Sequence, residues 1–106
     1  MEQAIYETHE LDDEGNTAGG STTGIGLSIQ WQSGPLGRGP ARMRPNGAFV
    51  EGVLQAALGR LKFYQTTKFV CEDNELAIMK VEEALMFLNH RTRDREKRGV
   101  KGTHEV

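Results

Sequence analysis

The sequence predicts an α+β protein in which a small N-terminal antiparallel β element precedes a long αα-hairpin. In GIGLSIQWQ, apolar and polar residues alternate, which is typical of a strand with one buried face. The apolar set is Ile25, Leu27, Ile29 and Trp31. Between residues 49 and 88, apolar residues recur every three or four positions in two segments, as on the buried faces of helices. At 106 residues we expect a single domain, 1–106.

Residues 1–23 form an acidic, Gly/Ser/Thr-rich segment. Its first twenty positions hold six Asp or Glu and no Lys or Arg. AIYETHEL alternates loosely and is compatible with a strand. DDEGNTAGGSTTG predicts a flexible loop, because Gly, Ser and Asp favour turns over regular structure. The acidic start lacks an apolar h-region, so we expect no signal peptide.

Residues 24–44 predict a strand or hairpin around a glycine loop. SGPLGRGP carries three glycines and two prolines, so it can neither continue a strand nor begin a helix. ARMR, which follows, is the candidate returning strand. Its pairing with the strand in GIGLSIQWQ would complete a hairpin.

Residues 46–98 predict the αα-hairpin, and its first helix opens at PNG. Asn46 is the expected cap, and the helix should extend to about Gln65. TTKFVCED interrupts the helical pattern and predicts a connecting turn. The apolar stripe of this helix comprises Phe49, Val50, Val53, Leu54, Ala57, Leu58 and Leu61.

The second helix is expected to begin with Asp73 or Asn74 as its cap and to end at Gly99. Residues 99–106 are then a C-terminal tail. The apolar stripe of this helix comprises Ala77, Ile78, Val81, Ala84, Leu85 and Leu88. Two helices joined by a short link form an αα-hairpin.

Catalytic and metal-binding motifs are missing from the sequence. A single cysteine and three scattered histidines provide no zinc-ligand spacing. Glu82 and Glu83 are adjacent on a helix, so they point in different directions and do not form an acid/base pair. The glycine loop lacks the Lys-Ser/Thr of a phosphate-binding P-loop. We therefore predict no catalytic residue, no metal and no cofactor.

Positive charge collects near the C-terminus of a chain whose net charge is -2. Arg91 and Arg95 are four residues apart, so both lie on one side of a helix and can converge on one anion. The alternative is a solvated helix end whose cations interact with the helix dipole. The overall acidity argues against a general DNA or RNA binder, and no apolar run is long enough to span a membrane.

Aromatic residues favour a nucleotide over a simple anion. Phe63 and Tyr64 offer stacking faces, and the amide of Asn74 can match the edge of adenine. Arg91 is more than roughly 20 Å from Asn74 along the second helix. One hairpin can place Arg91 beside Asn74 only if the chain folds back, whereas two hairpins packed antiparallel in a dimer can form one site containing all of them. Hairpin packing by Tyr64 and helix capping by Asn74 explain the same two residues without a ligand.

Three stretches of the chain carry a family resemblance. GLSIQWQSGPLG, NGAFVEGVLQAALGRLKFYQ and EEALMFLNHRTRDREKRGVKGTHEV together resemble the phage anti-Thoeris sponge family (Tad, first type), over residues 24–106. Its hairpin is shared with phage anti-CBASS sponges. The resemblance implies a protein that is not an enzyme. Such a protein binds a cyclic ADP-ribose isomer made by a TIR-domain enzyme of Thoeris immunity and releases it intact, in the cytoplasm of the infected bacterium.

The resemblance also implies the assembly and the site residues. It implies a homo-oligomer built from dimers, a hexamer. Tyr64, with Phe63 as its neighbour, corresponds to the aromatic residue that contacts adenine. Asn74 corresponds to the polar contact at the start of the second helix, and Arg91 and Arg95 to two arginines four residues apart.

Three further residues extend these predicted sites. Thr103, in the G-T-H ending, is a candidate hydrogen-bonding hydroxyl. The resemblance implies a separate site for the cyclic di- or trinucleotides of CBASS immunity. Gly37 and Arg38 in the glycine loop are our candidates for it, because they combine charge with backbone freedom.

Other functions explain part of the same pattern. A small nucleic-acid-binding αα-hairpin would use the basic end on phosphates and would show a steep salt dependence. A phage structural or interaction protein would pair that end with an acidic partner. An enzyme that cleaves the messenger would bind the same ligand but would not return it unchanged.

Overall fold

A computed structural model of the chain describes residues 4–37, 39–99 and 103. These residues divide into two compact units. The sheet unit contains the described residues before Val50, together with Arg98, Gly99 and Thr103. The hairpin unit is Val50–Lys97. The predicted fold class, an antiparallel β element followed by a helical hairpin, is confirmed.

The sheet unit is built on three antiparallel strands in the order β1-β2-β3. They are β1 (Tyr6–Leu11), β2 (Thr17–Gly24) and β3 (Leu27–Gln30). Tyr6 pairs with Thr23 at one end of the first ladder, and Ser21 pairs with Gln30 in the second. The face that carries Thr22 is the more buried one, and there the indole Nε1–H of Trp31 donates a hydrogen bond to Thr22 Oγ1 at 2.9 Å.

The central strand corrects our prediction of a flexible loop after β1. DDEGNTAGGSTTG contains all of β2, which is hydrogen-bonded on both sides. Gly20 has a φ of 120°, and a Cβ added there would overlap the carbonyl oxygen of Thr8. The glycine therefore permits β1 and β2 to approach closely. Composition alone pointed to a loop because this strand lacks an apolar alternation.

The region after β2 corrects two further predictions. Ile25 lies in the turn between β2 and β3 and is 89% exposed, so it does not belong to a buried strand face. ARMR is not a strand: Gly39–Ala41 is a single 3-10 turn, and residues 42–45 have no regular structure. The partner of β3 is β2, because the two-residue turn at 25–26 returns the chain directly.

The hairpin unit consists of α1 (Val50–Tyr64) and α2 (Glu72–Lys97). Its small core comprises Leu58, Ile78 and Leu85, with Leu54, Leu61 and Val81 packed against them. All six belong to the predicted apolar stripes. Lys62 and Glu82 form an ion pair between the helices, with Nζ and Oε2 3.5 Å apart. In the described part of the chain, neither helix is long and apolar enough to cross a membrane.

The helix ends differ from the predicted caps. Asn46 lies before α1 begins, and its side chain instead bonds the backbone N–H and carbonyl of Ser33 at 2.8 and 2.9 Å. Cys71 precedes α2, and its Sγ accepts the N–H of Asn74 at 3.4 Å. Asp73 and Asn74 therefore lie within the first turn of α2. Gly99, with a φ of 72°, follows the end of α2 as predicted.

Candidate ligand-binding site

An aromatic and cationic cluster lies at the C-terminal end of α1. The ring centroids of Phe63 and Tyr64 are 6.2 Å apart, and the rings are tilted by 48°. The guanidinium carbon of Arg60 is 4.9 Å from the Phe63 centroid and 5.2 Å from the Tyr64 centroid. Spacings of three and four residues bring these side chains onto one side of the helix. Both distances are short enough for cation–π attraction.

The link between the helices connects this cluster to Asn74. The carbonyl of Tyr64 accepts bonds from the N–H and Oγ1 of Thr67, at 3.0 and 2.7 Å. Thr67 Oγ1 accepts the N–H of Phe69 at 3.1 Å, and the carbonyl of Phe69 accepts Asn74 Nδ2 at 3.2 Å. A continuous series of bonds thus joins Tyr64 to Asn74. We call residues 60–74 the aromatic end of the hairpin.

Gln65 braces the aromatic end from the side of α2. Its Nε2 donates to the carbonyl of Cys71 at 3.1 Å and to Glu75 Oε2 at 3.2 Å. Its Oε1 accepts the N–H of Cys71 at 3.2 Å. One amide side chain therefore bridges the end of α1 and the start of α2. This brace and the Arg60 contacts were both missed in our sequence analysis, although the i, i+3 and i+4 spacing of Arg60 to the rings is visible there.

The aromatic end presents groups suited to a planar base. Phe63 is 50% exposed and Tyr64 is partly buried, so the rings offer an accessible stacking surface. Asn74 uses one hydrogen of its amide on Phe69. Among the described residues, its Oδ1 accepts no hydrogen bond, so an acceptor and a second donor hydrogen remain for a ligand.

The arginines predicted for the same site lie elsewhere on the hairpin. Asn74 is in the first turn of α2, whereas Arg91 and Arg95 are in its last turns. Asn74 and Arg91 are seventeen positions apart in the sequence, or about 26 Å along the helix axis. The structure therefore places Phe63, Tyr64 and Asn74 at the same end of the hairpin, and it separates them from the two arginines within one chain.

Two of the remaining predicted residues, Gly37 and Thr103, belong to the sheet unit. Gly37 has a φ of 86° and lies in the loop before the 3-10 turn. Arg38 lies outside the described residues. Thr103 is in a bend beyond α2 and is partly buried.

The sheet unit also contains a shallow polar hollow. Its lining includes Thr8, Glu10, Ser21, Gln30 and Asn46. Among the described residues that line it, Glu10 is the one charged side chain, so these residues offer no cation to a phosphate. Across residues 4–37, 39–99 and 103, no group of three or more His, Cys, Asp or Glu side chains could hold a metal ion.

Comparison of the amino-acid sequence with known proteins identifies a family. Residues 25–93, more than half of the chain, match the family model described as Acb2/Tad1, hairpin domain. The protein "Thoeris anti-defense 1" of Bacillus phage SBSphiJ7 is 44% identical over 78 residues. The aligned region is 74% of this chain and 52% of the relative, so the chain spans about half the length of that curated protein.

Proposed function

The chain belongs to the Acb2/Tad1 hairpin-domain family, and from this membership we propose that it is a phage anti-Thoeris protein. We propose that it binds a cyclic ADP-ribose-type messenger and holds it without cleaving it. The single observation that best supports this is the aromatic end, which carries two adjacent rings at the end of α1 and, at the start of α2, an amide with unused hydrogen-bonding capacity. The similarity to Thoeris anti-defense 1 supports the choice of messenger class.

The proposed mechanism is equilibrium capture. Adenine stacks on the rings of Phe63 and Tyr64, and Asn74 contacts its edge. Stacking on an aromatic side chain contributes about 1–3 kcal/mol per base. Arg91 and Arg95 hold the diphosphate, because guanidinium groups bind phosphate oxygens in pairs. Nanomolar affinity corresponds to about -12 kcal/mol, and a cyclic ligand helps to reach it because it loses little conformational freedom on binding.

The separation of the arginines from the aromatic end leads us to propose a site shared by two chains. Two hairpins packed antiparallel about a two-fold axis would place Arg91 of one chain near Asn74 of the other. The hairpin carries exposed apolar side chains that such an interface could cover. They are Val50, Phe63, Phe69, Val70, Leu76, Met79, Met86 and Phe87. We propose that these dimers assemble further into a hexamer.

We also propose a second ligand class and a place of action. Cyclic di- or trinucleotides of CBASS immunity would bind at a separate site that includes the glycine loop with Gly37 and Arg38. The polar hollow on the sheet is a poorer candidate, because the described part of its lining carries a carboxylate and no cation. Both messengers would be captured in the cytoplasm of the infected host.

Calorimetric titration with the TIR-derived cyclic ADP-ribose isomer tests the main proposal. We expect tight binding, and chromatography after heat denaturation should recover the ligand unchanged. Conversion of the ligand would indicate an enzyme instead. Absence of both heat and a shift in melting temperature would contradict the anti-Thoeris proposal, and steeply salt-dependent binding to DNA or RNA would favour the nucleic-acid alternative.

Tyr64→Ala tests the location of the site. We expect a roughly 5- to 150-fold loss of affinity for the cyclic ADP-ribose isomer, because a stacking contact of about 1–3 kcal/mol is removed. Tyr6→Ala is the matched control, since Tyr6 is 72% exposed on β1, in the other unit. Equal affinities for the two variants would show that the aromatic end is not the binding site.

A further inference from the structure

Arg60 combines a position over two aromatic rings with unused hydrogen-bonding capacity. Its guanidinium lies over two rings, at 4.9 Å from the Phe63 centroid and 5.2 Å from that of Tyr64. Within the described ranges, it makes no hydrogen bond or ion pair to a protein group. The guanidinium carbon lies over both rings, and the group carries five N–H donors in its own plane. Those donors remain accessible to a ligand, since Arg60 is exposed.

The neighbouring cation on α1 shows a different arrangement. Lys62 points toward α2, where it pairs with Glu82 at 3.5 Å. Two residues correspond to about 200° of rotation around a helix, so Arg60 lies on nearly the opposite side of α1. Lys62 therefore forms an ion pair between the helices, whereas Arg60 lies on the side of α1 that carries the two rings.

We propose that Arg60 is a ligand-contacting residue of the aromatic end and binds a phosphate of the adenine nucleotide whose base stacks on Phe63 and Tyr64. This inference rests on the proposed function and deepens it. A cation beside the stacking surface suits a ligand in which a single ribose separates base and phosphate. Because the rings already restrict the side chain, binding costs less rotamer entropy than it would for an unsupported arginine.

A phosphate contact by Arg60 would allow a single protomer to distinguish charged ligands from uncharged ones. The aromatic end would favour a phosphorylated nucleotide over a nucleoside before a second chain contributes its arginines. The planar fork of arginine matches phosphate oxygens in a way that the single ammonium of lysine does not. Arg60→Lys should therefore retain the charge and lose part of the affinity.

The test titrates wild type, Arg60→Gln and Arg60→Lys with the cyclic ADP-ribose isomer at several salt concentrations. We expect Arg60→Gln to bind at least about tenfold more weakly and to show a smaller salt dependence than wild type, because one charge–charge contact is lost. Arg60→Lys should be intermediate in affinity with a nearly unchanged salt dependence. Lys62→Gln is the matched control: it removes the same charge from the same helix and should bind like wild type.

Each outcome distinguishes this inference from the proposed function. Failure of the wild-type protein to bind overturns both. Wild-type affinity in Arg60→Gln overturns the phosphate contact alone. Weaker binding with an unchanged salt dependence also overturns it, because Arg60 would then only support the rings. Melting temperatures of all variants verify folding, and Arg60→Lys provides an independent result if Arg60→Gln does not fold.

Discussion

A single glycine sets the spacing of two strands in the sheet. Gly20 in β2 pairs with His9 in β1, and its backbone has a φ of 120°, a conformation that side chains strongly disfavour. The carbonyl oxygen of Thr8 occupies the position that a Cβ would need. Both the backbone conformation and the close contact therefore exclude any other residue without rearrangement.

Gly20→Ala should consequently destabilise the sheet. We expect a loss of at least about 2 kcal/mol in the free energy of unfolding, from backbone strain together with the overlap. Trp31 is the chain's single tryptophan and belongs to the sheet unit, so its fluorescence during urea unfolding measures the effect.

Gly59 in α1 provides the contrasting glycine. A Cβ there would meet nothing within 4 Å, so Gly59→Ala should stabilise the helix by up to about 1 kcal/mol, as measured by circular dichroism.

For the Gly20→Ala variant, a free energy of unfolding equal to that of wild type would show that β1 and β2 do not approach as closely as described.

At the level of elements, periodicity predicts the helices better than it predicts the strands. The core residues Leu58, Ile78 and Leu85 all belong to stripes visible in the sequence, because a helix repeats its buried face every three or four residues. The strand β2 has no such pattern. Its ladder depends on backbone hydrogen bonds, to which glycine and serine contribute as well as valine does, so composition misassigned it as a loop.

The candidate site divides in the same way between predictable and unpredictable features. An antiparallel hairpin requires Tyr64 and Asn74 to share one end, and the sequence predicts this. The Gln65 brace and the start of α2 at Glu72 depend on the conformation of the link. The sequence does not predict the helix caps correctly, because several polar residues lie near the start of each helix. At the start of α2, the structure shows that Cys71 accepts the N–H of Asn74.

The cap of α2 leads to a prediction about Cys71. Its Sγ accepts the N–H of Asn74, the residue whose amide we assign to the base. A hydroxyl is a stronger acceptor than a thiol, so Cys71→Ser should maintain or raise the melting temperature. Cys71→Ala removes the acceptor and should cost about 1 kcal/mol of stability. Differential scanning calorimetry compares the two, and equal melting temperatures would contradict the capping role.

For the whole molecule, the distance along α2 is the reason for proposing a site shared by two chains. Asn74 and Arg91 are separated by about 26 Å along α2, so side-chain movement within a chain cannot join them on one small ligand. Either the two groups bind different partners, or a second chain completes each site. The exposed Met79, Met86 and Phe87 on α2 support the second explanation, because an interface would remove their apolar surface from water.

Mixing two inactive variants distinguishes these explanations. In a shared site, Tyr64 comes from one chain and Arg91 from the other. A dimer of one Tyr64→Ala chain and one Arg91→Ala chain therefore has one intact site and one doubly altered site. Equal amounts refolded together should recover about one quarter of the wild-type binding sites, since half of the dimers are mixed. Calorimetric stoichiometry with the cyclic ADP-ribose isomer measures this fraction.

The control mixture pairs Tyr64→Ala with the double variant Tyr64→Ala/Arg91→Ala. No dimer in it contains an intact Tyr64, so it should recover no sites. If the first mixture also recovers none while each variant remains folded, the two residues do not complement each other across chains. Recovery in the first mixture alone would require Arg91 and Tyr64 to act on one ligand from different protomers, because the length of α2 places the two residues too far apart to reach one ligand within a single chain.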